Sequence, residues 1–398
     1  MSGTLIPYRH CGYRRWGRST TSRTGRWLAL ISCCWLCQCV QTYVSPYKSP
    51  PTGYLVVEGY ISANSQTEFS LSRSIELPGD SAIPVVTGAS VQVEGSDSSV
   101  YALADQGNGT YGDTTLSLNP ALQYRLRIHT PNGESYLSDF VPVKVTPPID
   151  SVNWVYEGAN GVNIYVNTHD PNNATRYYQW KYTETWVYYS PQSSYWVYDT
   201  ADNTVIQRTP DQLNYRCWTS VSNTDLLIDN TTKLAQDVVY EYPLVNIPDN
   251  SVELSSLYSI QVSQYALTEE AYNFILQMQV NTQSLGSVFD VQPTELTGNL
   301  HCLNNPGEQV IGYVAAGTVQ QQRIFIAENQ LPAWDFIYEC DTPNYVVVDN
   351  PDTLQFYFHY NGWMPLDEVP GGWTANKAFC IDCTIRGGTT QKPSFWPN

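Results

Sequence analysis

The chain has 398 residues, with 20 basic and 37 acidic side chains, a formal net charge of −17 and 42% hydrophobic residues. Six arginines and no acid lie in the first 38 residues, so the remainder carries 14 basic and 37 acidic side chains, a net charge of −23. A surface this acidic repels phosphate backbones, and nucleic acid is therefore excluded as an expected ligand. About 360 residues beyond that segment suffice for two or three domains.

The first 38 residues resemble an export signal. Their arginines precede the apolar stretch WLALISCCWLC, whose eleven residues are too few for a membrane-spanning helix, which needs roughly 20. This pattern predicts a signal peptide over residues 1–38. Cys39 then precedes a polar, proline-bearing segment, so we predict a bacterial lipoprotein acylated at Cys39, with residues 39–53 as a flexible tether. Cys33 is the alternative acylation site. The expected location is the outer membrane of the cell envelope, on either face.

Residues 54–147 contain short β-type runs separated by turns. In YRLRIHT, Tyr124, Leu126 and Ile128 fall on one face of a strand and polar residues fall on the other. The segments GNGTYGD and TPNGES both contain Asn-Gly, which favours tight hairpins. This part predicts an N-terminal β-sandwich of immunoglobulin or prealbumin type, which ends at the two prolines of TPPIDSV.

Residues 148–398 continue with β-type runs and predict a larger fibronectin-like β domain with one helical insertion. The helix is predicted near 268–285, in LTEEAYNFILQMQVNTQSLGS. Thr268 is its expected N-cap, two acids follow in the first turn, and Gly286 is the expected stop. An apolar stripe follows helical spacing at Ala271, Phe274, Ile275 and Met278. The predicted fold class is therefore all-β.

Several longer strings resemble one family. YLVVEGYI, YSIQVSQYALTEEAYNF, TQSLGSVFDVQPTELTGNLHC, VIGYVAAGTVQQQRIFI and CIDCTIRGGTTQKPSFW are similar to the DUF4249 family of Bacteroidota outer-membrane lipoproteins, over most of the chain from Cys39 to Trp396. The resemblance implies an exported lipoprotein without a settled biochemical activity. Such proteins are often encoded beside TonB-dependent receptors of the SusC type, which implies an accessory or ligand-handling role.

The cysteines beyond the leader predict disulfides. Export places them in an oxidising compartment, which favours bridging over a zinc site or redox chemistry. A zinc site at Cys380 and Cys383, with His301 or another cysteine, is the less favoured alternative. We predict that Cys380 and Cys383 fasten the C-terminal tail to the second sandwich through disulfides. At most two bridges can form, because there are five candidate cysteines: Cys217, Cys302, Cys340, Cys380 and Cys383.

One aromatic stretch is the candidate binding surface. RYYQWKYTETWVYYSPQSSYWVYD contains ten Tyr or Trp residues between Tyr177 and Tyr198. Only one row of a strand can face the core, so an exposed row could bind a partner protein or stack on a glycan. The alternative is that tyrosine only covers the solvent face of a sheet. The candidate contact residues are Trp186, Tyr188, Tyr195, Trp196 and Tyr198.

Catalytic signals are weak. The chain has five histidines and contains no HExxH, GxSxG or glycine-rich phosphate loop. We therefore predict a non-catalytic protein without catalytic residues, cofactor or metal. The expected partners are the outer membrane, through the lipid anchor, and a TonB-dependent receptor. A glycan-binding module is the alternative, and a cell-envelope hydrolase using paired carboxylates is less favoured.

Overall fold

The structure is a computed structural model that describes residues 53–75, 82–113, 116–283, 296–332, 334, 336, 340 and 345–397. The predicted signal peptide at 1–38, Cys39 and the tether up to residue 52 lie outside these ranges. Residues 51–398 belong to one compact unit. Within the described ranges, the helices are all too short or too polar to cross a membrane.

The N-terminal part is built from eight strands that follow the predicted β-type runs. Their bounds are β1 (Leu55–Ser62), β2 (Thr67–Arg73), β3 (Ser90–Gly95), β4 (Val100–Gly107), β5 (Thr110–Asp113), β6 (Gln123–His129), β7 (Ser135–Ser138) and β8 (Val141–Lys144). The predicted alternation of β6 is confirmed, because Tyr124, Leu126 and Ile128 are fully buried. The Asn108-Gly109 turn joins β4 to β5 with positive φ at both residues, as a tight hairpin requires.

Three short strands from much later in the chain complete this N-terminal sheet. They are β18 (Leu300–Cys302), β19 (Val310–Ile311) and β20 (Ala316–Gly317). Strand β20 pairs in parallel with both β1 and β8, and β8 also pairs with β6, so the strand pairings run in a closed, barrel-like circuit. The sandwich predicted for residues 54–147 does not include these three strands. The structure has one sheet whose strand pairings close on themselves, whereas a sandwich would have two separate sheets.

The remaining strands of the larger β part are β9 to β17 and β21. Their bounds are β9 (Ile149–Tyr156), β10 (Val162–Asp170), β11 (Tyr177–Tyr189), β12 (Trp196–Asp199), β13 (Thr204–Gln207), β14 (Arg216–Ser222), β15 (Leu227–Asn230), β16 (Asp237–Ile247), β17 (Leu257–Ala266) and β21 (Val319–Ala327). Strands β16, β10 and β9 form one antiparallel sheet, and β14, β15, β11, β17 and β21 form another.

These two sheets enclose one hydrophobic core, as expected for a β-sandwich. Strand β11 lies centrally, since it pairs with β17 on one side and with β14 and β15 on the other. Its even-numbered residues point into the core, where Trp180 is fully buried and stacks on Tyr242 at 4.4 Å between ring centroids. Other members of this core are Val162, Ile164, Val166, Leu244, Ile260 and Val262.

The predicted helix is confirmed as α1 (Glu269–Gln283). The Thr268 hydroxyl accepts a hydrogen bond from the Ala271 amide at 3.2 Å, which is the expected N-cap contact. Ala271 and Phe274 are buried, while Ile275 packs partly buried against the same cluster of residues as Ala271. The predicted stop at Gly286 lies outside the described residues.

A small three-stranded sheet follows near the C-terminus. It contains β22 (Tyr345–Val348), β23 (Trp363–Val369) and β24 (Gly372–Lys377), with β24 in the middle. The short helices are α2 (Pro351–Leu354) and α3 (Ala378–Ile381), and a π-helical turn spans Gln355–Tyr360. Single 3-10 turns occupy Gly158–Asn160, Pro210–Gln212, Val252–Leu254, Glu328–Gln330 and Cys383–Arg386.

This sheet shares a core with the β12–β13 hairpin. Val347, Leu354, Phe358, Trp373 and Ala375 are buried there, and the hairpin residues Trp196, Tyr198 and Val205 pack against them. We refer to residues 196–207 and 345–381 together as the aromatic subdomain.

Candidate functional site

Two disulfides lie at the C-terminal end of the aromatic subdomain. Cys217 on β14 is bonded to Cys383, and Cys340 is bonded to Cys380. Cys302, the remaining disulfide candidate, is buried and unbonded. The structure agrees with the predicted two bridges and one remaining thiol. Because Cys380 and Cys383 are both in disulfides, they cannot together supply thiolates to a zinc ion.

The C-terminal tail continues from these bridges onto the outer face of the second sandwich. Thr389 and Trp218 exchange backbone hydrogen bonds at 2.8 and 2.9 Å. Trp396 is buried against Val187 and Trp218, and Arg323 lies 3.5 Å above the Phe395 ring. The tail therefore packs on the second sandwich beyond the Cys217–Cys383 bridge.

Two of the five predicted contact residues are not on the surface. Trp186 is 9% exposed and Tyr188 is 3% exposed, because both belong to the even-numbered row of β11 that faces the sandwich core. The Tyr188 hydroxyl donates to the Cys383 carbonyl oxygen at 2.9 Å. The expectation that these residues contact a ligand or partner is wrong for both, since core packing already occupies their rings.

The other three predicted residues lie at the hairpin. Tyr195 is 59% exposed. Trp196 and Tyr198 are partly buried, because Trp196 lies 4.8 Å from Trp373 and Tyr198 lies 5.8 Å from Phe358 between ring centroids. Tyr195 is therefore exposed to solvent, while Trp196 and Tyr198 pack the hairpin against the rest of the subdomain.

Polar contacts fix the hairpin in place. The Ser194 hydroxyl donates to the Pro365 carbonyl oxygen at 2.6 Å and accepts from the Trp196 amide at 3.0 Å. Arg208 is buried, and its guanidinium donates to the carbonyl oxygens of Trp196 and Gln212, each at 2.8 Å. Burial lowers the pKa of Arg208 from its ordinary value. These bonds hold the hairpin against β23.

A second group of aromatic residues lies on the same subdomain and was missed by the sequence reasoning. Tyr345 contacts Trp363, Trp363 contacts Tyr357, and Tyr357 contacts Phe356, with ring centroids 5.0 to 6.1 Å apart. Tyr345, Phe356 and Tyr360 are more than half exposed. We call this set, with Trp363 and Tyr357, the aromatic surface. The dense run QFYFHYNGW was the available signal.

The aromatic subdomain is also acidic. Its only Lys or Arg is Lys377, whose ammonium lies 5.9 Å from the Phe379 ring centroid. Against it stand six carboxylates: Asp199, Asp202, Asp349, Asp352, Asp367 and Glu368. The surface therefore combines exposed aromatic rings with negative charge, which suits a partner with apolar and basic groups.

Two oxygen-rich loops serve as turns. The Asp170 carboxylate accepts from the backbone N–H groups of Asn172, Ala174 and Thr175 at 2.8 to 2.9 Å. Asp105 accepts from the amides of Gly88 and Gly107. Within the described ranges, no group of three His, Cys, Asp or Glu side chains is arranged to hold a metal ion.

One partly buried carboxyl lies on the central strand of the sandwich. Glu184 occupies the core-facing row of β11 between Tyr182 and Trp186, and the Tyr258 hydroxyl donates to it at 2.8 Å. Burial raises the pKa of Glu184, and the negative charge of Glu253 adds to this effect. A carboxyl with a raised pKa can serve as a general acid. Glu184 is thus a candidate residue for the hydrolase alternative.

Comparison with known families gives one match. Residues 41–323 match the family model described as Domain of unknown function (DUF4249). No curated protein matches the chain. The matched range covers both large β parts up to the middle of β21, helix α1 and the β12–β13 hairpin, while residues 345–381 of the aromatic subdomain lie beyond it. Because the match spans well over half of the chain, the protein belongs to the DUF4249 family.

Proposed function

We propose that this protein is a non-catalytic lipoprotein of the outer membrane that binds a partner protein through the aromatic subdomain, with a TonB-dependent receptor as the favoured partner. The observation that carries the proposal is the exposed group of Tyr345, Phe356 and Tyr360. Large aromatic side chains in water are unfavourable unless a partner covers them, and Tyr and Trp dominate the binding energy of many protein interfaces.

The way the subdomain is held supports a binding role. The Cys217–Cys383 bridge joins β14 to the chain directly after the subdomain, and the hydrogen bonds of Ser194 and Arg208 hold the hairpin, so few side chains and loops need to become ordered on binding. Preorganisation of this kind increases affinity, because less conformational entropy is lost when the complex forms.

The membrane anchor is proposed from the N-terminal sequence. Six arginines, a short apolar stretch and Cys39 have the order of a lipoprotein signal. Intact-mass measurement of the membrane-extracted protein should give a mass that corresponds to a diacylated N-terminal cysteine. Cys39→Ser is expected to abolish acylation, and an acylated Cys39→Ser variant would instead indicate Cys33.

The binding role can be tested by site-specific photo-crosslinking in the native membrane. A benzophenone amino acid replaces Tyr360 in one strain and Tyr240 on β16 in the control strain. These residues are matched because they are 68% and 76% exposed on different parts of the molecule. We expect an adduct with an outer-membrane receptor from position 360 only. Equal adducts at both positions, or adducts at neither, would contradict the proposal.

Glycan binding is the second candidate, because Tyr195 extends from the hairpin with its ring in solvent and exposed tyrosine rings can stack on sugars. Binding on a glycan array that is abolished by Tyr195→Ala would favour it. Tyr195→Ala is a cleaner test than Trp196→Ala, since Trp196 packs on Trp373 and its loss would also disturb the hairpin.

A further inference from the structure

Strand β22 is an outer strand of the three-stranded sheet. The sheet order is β22, β24, β23, and the described residues provide no strand on the other side of β22. Its sequence is Tyr-Val-Val-Val, in which Val347 is buried while Val346 and Val348 are 63% and 55% exposed. Such an edge presents both backbone hydrogen-bonding groups and apolar side chains to solvent.

The register shows which backbone groups point outward. The Asp349 amide donates to the Gly371 carbonyl oxygen at 3.2 Å, in line with the pairing of Val347 with Trp373 and of Tyr345 with Ala375. In an antiparallel pair, residues alternate between bonding the neighbour and pointing away from it. The amides of Val346 and Val348 therefore point to the open edge, and the same two residues expose their side chains.

Other edge strands carry protective features that β22 lacks. Strand β23 contains Pro365 and an irregular register after it, and the Ser194 hydroxyl bonds its carbonyl groups. Strand β16 contains Pro243, and Glu241 breaks its regular backbone with φ of 50°. The edge of β14 pairs with Thr389 of the tail. Prolines, bulges and covering segments are the usual means of blocking strand addition.

We propose that β22 is a docking edge, to which an extended segment of the partner protein adds as a fourth strand. This inference rests on the proposed function and specifies how the partner is recognised. The segment has alternate apolar side chains, which pack beside Val346 and Val348, and Lys or Arg at the positions between them. The apolar positions follow from the period of a strand.

The charge preference follows from the acids around the edge. Asp349 directly follows β22 and Asp352 lies in the next helix; both are exposed. Basic residues of the incoming strand would be attracted to them, whereas a second copy of this acidic chain would be repelled. Strand addition supplies affinity through main-chain hydrogen bonds and specificity through alternate side chains.

A labelled peptide tests the edge directly. The probe is a fluorescein-labelled peptide of alternating lysine and valine, into which the mature protein with both disulfides formed is titrated. A labelled peptide of alternating glutamate and valine is the charge control. Fluorescence anisotropy should show binding of the lysine peptide and about tenfold weaker binding of the glutamate peptide. Val346→Pro removes the outward N–H without removing a bond to β24 and should weaken binding about tenfold. Val346→Thr keeps the N–H and a β-branched side chain, so its affinity should stay close to that of the wild type.

Hydrogen exchange provides a test that needs no substitution. Adding the lysine peptide should slow amide exchange at Val346 and Val348 and leave exchange at the exposed strand residue Tyr240 unchanged. Unchanged exchange at Val346, or wild-type affinity in Val346→Pro, would overturn the inference. Dimerisation of the free protein through β22 would also overturn it. If crosslinking at Tyr360 still captures a receptor while the peptide fails to bind, only this inference fails and the proposed function stands.

Discussion

Removing the Cys340–Cys380 bridge tests how the aromatic subdomain is held. The bridge closes a loop with a sequence separation of 40 residues. The loop-closure relation gives about 4 kcal/mol for a loop of this size, as entropy that the reduced unfolded chain regains. We expect Cys340→Ala/Cys380→Ala to lower the free energy of unfolding by about this amount, a large part of the 5–15 kcal/mol typical of a domain.

The assay is urea unfolding at fixed pH, followed by tryptophan fluorescence and by far-UV circular dichroism. Coincident transitions justify a two-state treatment, and a separate early transition would mean that the subdomain unfolds alone. Cys302→Ala is the matched control, because Cys302 is also buried but forms no disulfide. We expect the control to lose only about 1 kcal/mol. Peptide mapping without reduction must first show both bridges in the wild type.

A small loss of stability in the double variant would refute the expected contribution of the Cys340–Cys380 bridge. If the double variant loses no more stability than Cys302→Ala, the bridge adds nothing beyond the packing of Cys380 and Ile381 with Leu366. The subdomain would then be held by the hairpin contacts and by the Cys217–Cys383 bridge alone. A loss well above 5 kcal/mol would instead show that the native packing of the subdomain depends on the bridge.

Three further substitutions follow from the structure. Burial raises the folded-state pKa of Glu184 above its ordinary value of 4.5. The wild type therefore loses stability as pH rises from about 4.5 through the folded pKa. Glu184→Gln should be more stable than the wild type by about 1 kcal/mol at pH 7, and this difference should shrink toward pH 4. Arg208→Met should cost about 2 kcal/mol in urea unfolding, because two partly buried hydrogen bonds from the guanidinium to carbonyl oxygens are lost. Gly161→Ala should cost more than about 2 kcal/mol and visibly lower the melting temperature, because φ is 82° and a Cβ would lie 2.0 Å from the Ile247 carbonyl oxygen. An Arg208→Met variant as stable as the wild type, or a Glu184→Gln difference that does not vary with pH, would contradict the assigned contacts.

The sequence predicts the regular elements of this fold where they are long. The alternation over Tyr178, Trp180 and Tyr182 in β11 and the capped helix at Glu269–Gln283 are both present. Each has enough residues for its period to be visible, and each carries its own end signals. The expectation that only one row of β11 faces a core fails at Val187, which belongs to the other row and is buried under Trp396. The sequence could not show that Trp186 and Tyr188 continue the even-numbered row up to the disulfide.

The short and distant elements were not predictable in the same way. Strands β19 and β20 have two residues each, so they show no periodicity, and their partner β1 lies more than 250 residues earlier. The partners of Cys380 and Cys383 were also open, since five cysteines allow many pairings. The exposure of Tyr345 depends on which face of the small sheet is covered, and part of that cover comes from the β12–β13 hairpin, which is distant in sequence.

The family match ends before the exposed aromatic residues of the proposed binding surface, but the matched part and the segment beyond it share contacts that complete the fold. Residues 41–323 contain both large β parts, yet their outer face is completed by Trp396, which covers Val187 and Trp218, and by Cys383, which bonds Cys217. The segment beyond the match is therefore needed to bury apolar surface that the matched part would otherwise expose. Because it also carries Tyr345, Phe356 and Tyr360, the structure joins the completion of the core to the display of the proposed binding surface. A partner that binds there contacts a segment that is joined to the sandwich by the Cys217–Cys383 bridge and by the tail contacts.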